Sequence, residues 1–176
     1  TRGATPREAS EESPMKTVVT ILLAACAFAA PAAAQTSHDQ HHAGLNERGT
    51  RFMGFDQEAT THHFILTKDG GRIEVTAGEA ADAKSTGEIR SHLRHIAQAF
   101  GKGDFELPML VHDTKAVPGI EEMKALGASL SFVFEEIDRG ARVRITGATP
   151  DAIAAVHEFL RFQITDHRTG DPLIVK

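Results

Sequence analysis

The chain has 176 residues, of which 41% are hydrophobic and 24% charged, and its formal net charge is −5. This composition is typical of one modest globular domain and leaves little room for a second. The acidic balance, with 19 Lys and Arg against 24 Asp and Glu, argues against nucleic acid or an anionic membrane surface as the main partner.

The start of the chain predicts an export signal that takes no part in the fold. Residues 1–14 are polar and precede Met15, so we interpret them as an upstream, non-structural segment. Residues 15–34 combine a basic start, an apolar stretch and an Ala-rich cleavage site before Gln35, which indicates a signal peptide. The apolar stretch is too short to span a bilayer. We therefore expect a bacterial periplasmic or secreted protein with no transmembrane span in its mature form.

The single cysteine, Cys26, lies inside this signal. The residues around it also resemble a lipoprotein cleavage box, which would leave a lipid anchor on Cys26. Cleavage after Ala34 is the alternative, and it leaves a mature chain without cysteine. In either case no disulfide within the chain can stabilise the fold.

The mature chain predicts an arm followed by one domain. Residues 35–58 are polar, lack a sustained period and contain His38, His41 and His42, which predicts a flexible His-rich arm. Residues 59–176 predict a single α+β domain. Two pairs of strands, around residues 64–76 and 132–145, each enclose a turn that contains Gly, which is typical of β-hairpins.

Each predicted hairpin is followed by an amphipathic helix. The first helix is predicted to begin at a capping box of Ser85 and Glu88, and the second at Thr149 with Pro150. Their apolar stripes are Ile89, Leu93, Ile96 and Phe100 in the first helix, and Ile153, Val156, Leu160 and Ile164 in the second. Between the two units, residues 108–112 predict a short edge strand and residues 118–126 a short helix.

The two ββα units align with each other, which suggests a duplication. Ile89 aligns with Val156 and Leu93 with Leu160 without a gap, giving pseudo-repeats over residues 61–104 and 130–171. Such a chain most simply forms a four-stranded antiparallel sheet with both helices on one face, a two-layer α+β sandwich. Chance similarity between two amphipathic helices is the alternative explanation.

Several segments resemble a family of small exported bacterial proteins of unestablished function. The resemblance runs from about residue 48 to the end. Members of that family are sometimes labelled aspartate carbamoyltransferase, but this chain is too short for that enzyme and lacks its carbamoyl-phosphate loop. The resemblance supports the domain boundary and implies no mechanism. The segments that carry it are Thr61-His62-His63-Phe64, His92-Leu93-Arg94-His95-Ile96, Met109-Leu110-Val111-His112-Asp113, and residues 159–164 with 166–171.

The ten histidines are the main functional clue, because all of them follow the signal and neutral imidazole is a common metal ligand. His92 and His95 lie three residues apart on the predicted helix, so both rings can reach one ion. His62 and His63 are neighbours on a strand and must point to opposite faces. His62 shares its face with Phe64 and is the better partner for His92, and His63 is the other candidate.

Sulfur ligands and the remaining histidines complete the predicted site. His112 follows Met109 by three residues, and a thioether near imidazoles favours copper over zinc; Met53 is a further thioether. The predicted metal ligands are therefore His62, His92, His95, His112 and Met109, with His63 as a further candidate. His157 and His167 lie near the apolar stripe of the last predicted helix and are interpreted as structural, with His167, in its final turn, interacting with the helix dipole.

These features predict an exported metal-ion-binding protein, with copper before zinc, that serves metal homeostasis or delivery. A metal-dependent hydrolase at the same histidines is one alternative, and an open coordination position in a cleft would favour it. A binding or interaction module without a metal is another, favoured if His62, His92 and His112 lie far apart. Neither a G-x-S-x-G nor an H-E-x-x-H motif is present.

Overall fold

The structure, a computed structural model, describes residue 3 and residues 32–175, with only the backbone described for residues 32–39. Nearly all of the predicted signal, including Cys26, lies outside the described residues. The helices are α1 (Ala32–Met53), α2 (Ala83–Gly101), α3 (Glu106–His112), α4 (Ile120–Ala125) and α5 (Pro150–Asp166), and the strands are β1 (Thr60–Thr67), β2 (Gly70–Ala77), β3 (Leu130–Ile137) and β4 (Gly140–Gly147). None of the described helices is long and apolar enough to cross a membrane.

The four strands form one antiparallel sheet in the order β1-β2-β4-β3. Each hairpin joins two eight-residue strands through a two-residue turn, and the hairpins meet where β2 pairs with β4, with Ile73 opposite Val143. The predicted α+β class with a four-stranded antiparallel sheet is confirmed. Both halves have the order ββα, and their origin by duplication stays a prediction.

The core lies between one face of this sheet and the helices α2 and α5. Most strand residues with side chains on that face are buried, among them Phe64, Val75 and Ile145. The predicted helix stripes are buried against them, except for Ile153, which is partly exposed. The opposite face carries charged residues, and Glu135 there accepts hydrogen bonds from Arg142 and Arg144. This alternation of apolar and charged positions determines which face of the sheet is buried, and the predicted placement of α2 and α5 on one face is confirmed.

The helix starts differ in how well the sequence predicts them. Thr149 caps α5 as predicted, because its side chain accepts a hydrogen bond from the Ala152 N–H and Pro150 follows it. The capping box at Ser85 is wrong: α2 begins earlier, and the Asp82 carboxylate accepts the Ser85 N–H at 2.9 Å. Asp is as good an N-cap as Ser, and capping at Asp82 makes α2 about one turn longer than capping at Ser85 would.

The segment predicted as an edge strand at residues 108–112 is instead part of helix α3. Pro108 is the third residue of that helix, where the backbone N–H that proline lacks would have no intrahelical partner. Val111 and His112 are buried, and Asp113 ends the helix in the left-handed region with φ 50°. The apolar run therefore contributes buried residues to a helix. A run of five apolar residues is equally compatible with a strand and with a short helix, so the sequence alone does not distinguish the two.

The segment predicted as a flexible arm forms helix α1. The helix has weak apolar periodicity: Leu45 is its one fully buried apolar side chain among the described residues, Met53 packs against the core at its end, and polar bonds hold the rest. Arg48 Nε donates to the Val111 carbonyl at 2.8 Å, and His41 Nε2 lies 3.0 Å from a carboxylate oxygen of Asp166. Bonds between distant parts of the chain leave no local pattern, so the sequence did not predict this helix.

A single glycine controls how closely α4 approaches α5. Gly119 precedes α4 with φ 79°, and a Cβ there would lie 2.3 Å from the Ala155 carbonyl oxygen and 2.8 Å from the Phe159 nitrogen. Gly119→Ala is expected to lower the free energy of unfolding by roughly 2–3 kcal/mol. Gly87→Ala is the matched control: nothing lies within 4 Å of a Cβ there, so it should stabilise α2 by about 0.5–1 kcal/mol. Urea denaturation measures both, and equal effects would contradict the steric argument.

Candidate functional site

A small cavity of about 60 Å³ lies between the sheet and the helices, lined mostly by apolar side chains. It has room for about two water molecules or one ion with its ligands' donor atoms. Polar or sulfur-bearing side chains also line it, and they come from every layer of the domain. They are Met53, His62, His92, His112, Gln163 and His167.

Each histidine reaches the cavity because of its place in the fold. His62 lies on β1 with its side chain on the core face, two residues before the buried Phe64. His92 lies on the flank of α2, next to the buried stripe that contains Leu93. His112 is the last residue of α3, and His167 immediately follows α5. Two of the four therefore stand at helix ends, where the chain turns over the cavity.

Aromatic contacts hold three of these rings in fixed orientations. His62 is stacked between Phe55, with ring centroids 5.7 Å apart, and His167, at 5.9 Å and nearly parallel. The ring of Phe55 also meets His92 edge-on at 5.4 Å. Phe55 is buried, so one rigid ring contacts both His62 and His92 and restricts their orientations.

Burial keeps these three imidazoles neutral at pH 7. Desolvation, followed by the positive charge that His63 would carry, lowers the pKa of His62 from 6.5 to about 4. Desolvation, followed by His62 and His95, lowers the pKa of His92 to about 4 as well. The pKa of His167 lies well below its usual value, for the same primary reason. A neutral ring keeps a lone pair on one nitrogen, which is the form that binds a metal.

One ring nitrogen in the cavity wall has no partner. His62 Nε2 is buried and makes no hydrogen bond within the described part of the chain, and the same is true of Gln163 Nε2. A buried polar atom that is left unpaired costs about 1–3 kcal/mol. Native proteins retain few such groups, and each calls for an explanation in terms of a ligand, a water molecule or strain.

His112, in contrast, has both ring nitrogens engaged. Nδ1 lies 2.5 Å from Asp166 Oδ2, and Nε2 lies 2.9 Å from Gln163 Oε1. The other oxygen of Asp166 lies 3.0 Å from His41 Nε2 on α1. Burial alone would raise the pKa of Asp166, but hydrogen bonds from His112 and His41 outweigh it and hold that pKa below its usual range. The carboxylate therefore joins α1, α3 and α5.

A second, more polar depression adjoins the cavity. This polar groove has a volume of about 240 Å³ and lies between α1, β1 and the segment after α5. His62 and His167 line both the groove and the cavity, so the stacked pair separates the two spaces. His42 also lines the groove, with its Nε2 3.4 Å from the His167 carbonyl oxygen.

The structure divides the ligands predicted from the sequence into two groups. His62, His92 and His112 line the same cavity. His95 is exposed and lines a different depression with Leu107, while Met109 faces a groove between α1 and α3. His63 lies on the opposite face of the sheet, where its Nδ1 is 2.9 Å from Asp171 Oδ1.

Three polar or sulfur-bearing members of the cavity wall were not predicted as ligands, namely His167, Gln163 and Met53. His167 was interpreted as a dipole partner of α5, and its ring instead stacks on His62 from β1, a contact without a local signal. Gln163 lies one turn before His167 on α5 and is buried. Nothing in the local sequence indicated that this polar side chain would be buried beside the apolar stripe. Met53 was noted only as an available thioether, and it lines the cavity from the end of α1.

No three His, Cys, Asp or Glu side chains within the described residues are grouped so that they could hold a metal ion together. A site with three or four such ligands is therefore absent from this part of the chain as arranged. Comparisons with protein-family models, with curated proteins and with solved structures find no match to the chain. The functional argument consequently depends on the cavity itself.

Proposed function

We propose that the protein binds one copper ion as Cu(I) in the histidine-lined cavity and serves copper homeostasis or delivery outside the cytoplasm. The observation that carries this proposal is the buried, unpartnered Nε2 of His62 in a wall shared with neutral His92 and His167. An imidazole lone pair that no protein group uses is available to a ligand. The export context is supported by the signal pattern of residues 15–34.

The oxidation state follows from the small number of donors and the apolar wall. Cu(I) has a filled d shell and is stable with as few as two nitrogen or thioether donors, whereas Zn²⁺ in proteins prefers four. The Born cost of burying an ion rises with the square of its charge, so a monovalent ion costs about a quarter of the cost of a divalent one. Met53 adds a thioether, which favours Cu(I). Zinc is accordingly second.

The two alternative functions receive less support. A metal-dependent hydrolase needs a general base beside the metal-bound water, and no carboxylate is among the described side chains that line the cavity. A module without a metal was favoured if His62, His92 and His112 lay far apart, but they line one cavity. Metal binding uses the neutral charge state of these rings, and the module without a metal does not.

Native mass spectrometry with Cu(I), Cu(II) and Zn(II) tests the proposal, using two variants on the same helix. His92→Ala removes a ring from the cavity, and His95→Ala removes an exposed ring one turn further along α2. We expect one Cu(I) per chain in the wild type and in His95→Ala, and an affinity lower by about a hundredfold in His92→Ala. Weak binding of several ions that disappears when His38, His41 and His42 are all replaced would reject the cavity site.

A further inference from the structure

The stacked pair of His62 and His167 has one side in the cavity and the other in the polar groove. An ion that reaches the cavity from the groove therefore passes these two rings first. The route needs no movement of the sheet, since His167 lies just beyond the end of α5, where the helical hydrogen bonds stop. Helix ends open at lower cost than helix interiors.

Charge favours entry of a cation through the polar groove rather than through the larger depression between α1 and α3, which Met109 lines. That depression is lined by three cationic side chains, Arg48, Arg51 and Lys115, against two carboxylates, Glu106 and Asp113, and the excess of one positive charge disfavours a cation. The polar groove has no Lys or Arg among its described lining residues, and it contains Glu58 and the ring of His42. A monovalent metal ion is therefore drawn to the groove rather than to the larger depression.

His42 is the groove residue best suited to receive the ion. Its Nε2 is 3.4 Å from the His167 carbonyl oxygen, near the outer limit of a hydrogen bond, so the ring is released at little cost. The neighbouring ring of His41 is held more closely by Asp166, at 3.0 Å. His42 is thus a loosely held imidazole, next to the residue whose ring forms the boundary of the cavity.

We infer that the polar groove is the port through which Cu(I) exchanges with the cavity, and that His42 is the capture ligand of this port. This inference rests on the proposed copper function. The step is a ligand exchange without oxidation or reduction: a copper–nitrogen bond to His42 forms as a bond to the donor molecule breaks. The ion then passes to the rings of His62 and His167, and His42 returns to the His167 carbonyl.

The test measures the rate of Cu(I) transfer from a coloured Cu(I)–chelator complex by stopped-flow absorbance, and the affinity from the same competition at equilibrium. His42→Ala and His42→Asn are compared with wild type, and His95→Ala is the control for loss of an exposed histidine. Far-UV circular dichroism and thermal melting verify that each variant is folded. Asn keeps a polar side chain in the groove but offers no imidazole nitrogen.

Both His42 variants are expected to take up Cu(I) about tenfold more slowly, with the affinity within a factor of about two of wild type. Unchanged rates, or an equal slowing in His95→Ala, would overturn the port while leaving the cavity site intact. An affinity that falls as much as the rate would make His42 a resident ligand and would also overturn the capture role. Absence of tight Cu(I) binding in wild type would reject the proposed function and the port together.

Discussion

Lowering the pH from 7 to 4 is expected to reduce the free energy of unfolding of the metal-free protein by roughly 4–6 kcal/mol. This figure counts the burial of His62 and His92, each with a folded-state pKa of about 4, and the lowered pKa of the buried His167 acts in the same direction. In the unfolded chain both rings recover their usual pKa near 6.5. Between these values the unfolded state binds protons that the folded state does not, so acid favours unfolding.

The direction and the window of this effect follow from the two pKa values. Above about pH 6.5 neither state binds these protons, and the full stability is present. Stability then falls as the pH decreases towards 4, and it levels off once the folded state is protonated too. Each ring contributes roughly 2–3 kcal/mol, somewhat less than its full shift implies because both side chains are partly exposed. The total is a large fraction of the 5–15 kcal/mol typical of domains.

Urea denaturation at pH 7, 6, 5 and 4 with a metal chelator measures this dependence. The acidic groups act in a separate window: the pKa of Asp166 and of Asp171 is lowered, so the stability that these residues provide is lost only below about pH 4. Replacing His62 by Phe should therefore remove roughly 2–3 kcal/mol of the decrease between pH 6.5 and 4. A free energy of unfolding that stays constant from pH 7 to 4.5 would contradict the burial of neutral rings.

The parts of the fold that the sequence predicted are those specified by neighbouring residues. The turn between β1 and β2, at Lys68 and Asp69, and the apolar stripe of α2 depend on residues close together in the sequence. Helix α1 depends on Arg48 reaching the Val111 carbonyl and on His41 reaching Asp166, and neither bond has a signal in local sequence. Helix α3 was predicted as a strand because a five-residue apolar run fits either period.

The same distinction explains the candidate site. The alternation of side chains along β1 placed His62 on the core face, and helical geometry placed His92 at the edge of the buried stripe. His167 was missed because its partner His62 lies on an element distant in sequence. Met109 was predicted as a soft ligand, but the helical conformation of α3 directs it into the depression between α1 and α3, which Arg48 also lines.

Replacing His62 by Phe is expected to raise the stability of the metal-free protein and to abolish tight Cu(I) binding. Phe keeps a flat ring between Phe55 and His167 and removes the unpartnered Nε2. Loss of an unsatisfied buried nitrogen should increase the free energy of unfolding by about 1–2 kcal/mol at pH 7. Loss of the central ligand should weaken Cu(I) binding by about a thousandfold or more, beyond the 10–100-fold typical of outer-shell partners.

The two effects have opposite signs, and this separates a ligand from a structural residue. A histidine retained for packing or for a water-mediated hydrogen bond would make the Phe variant less stable, and His62→Leu, which is shorter, would be less stable still. A histidine retained for a metal leaves the metal-free fold with a cost that only the ion offsets. Urea denaturation with a chelator and Cu(I) competition at pH 7 measure both quantities on the same samples. If both variants were less stable and their Cu(I) affinity were unchanged, His62 would not be a ligand of the proposed copper site.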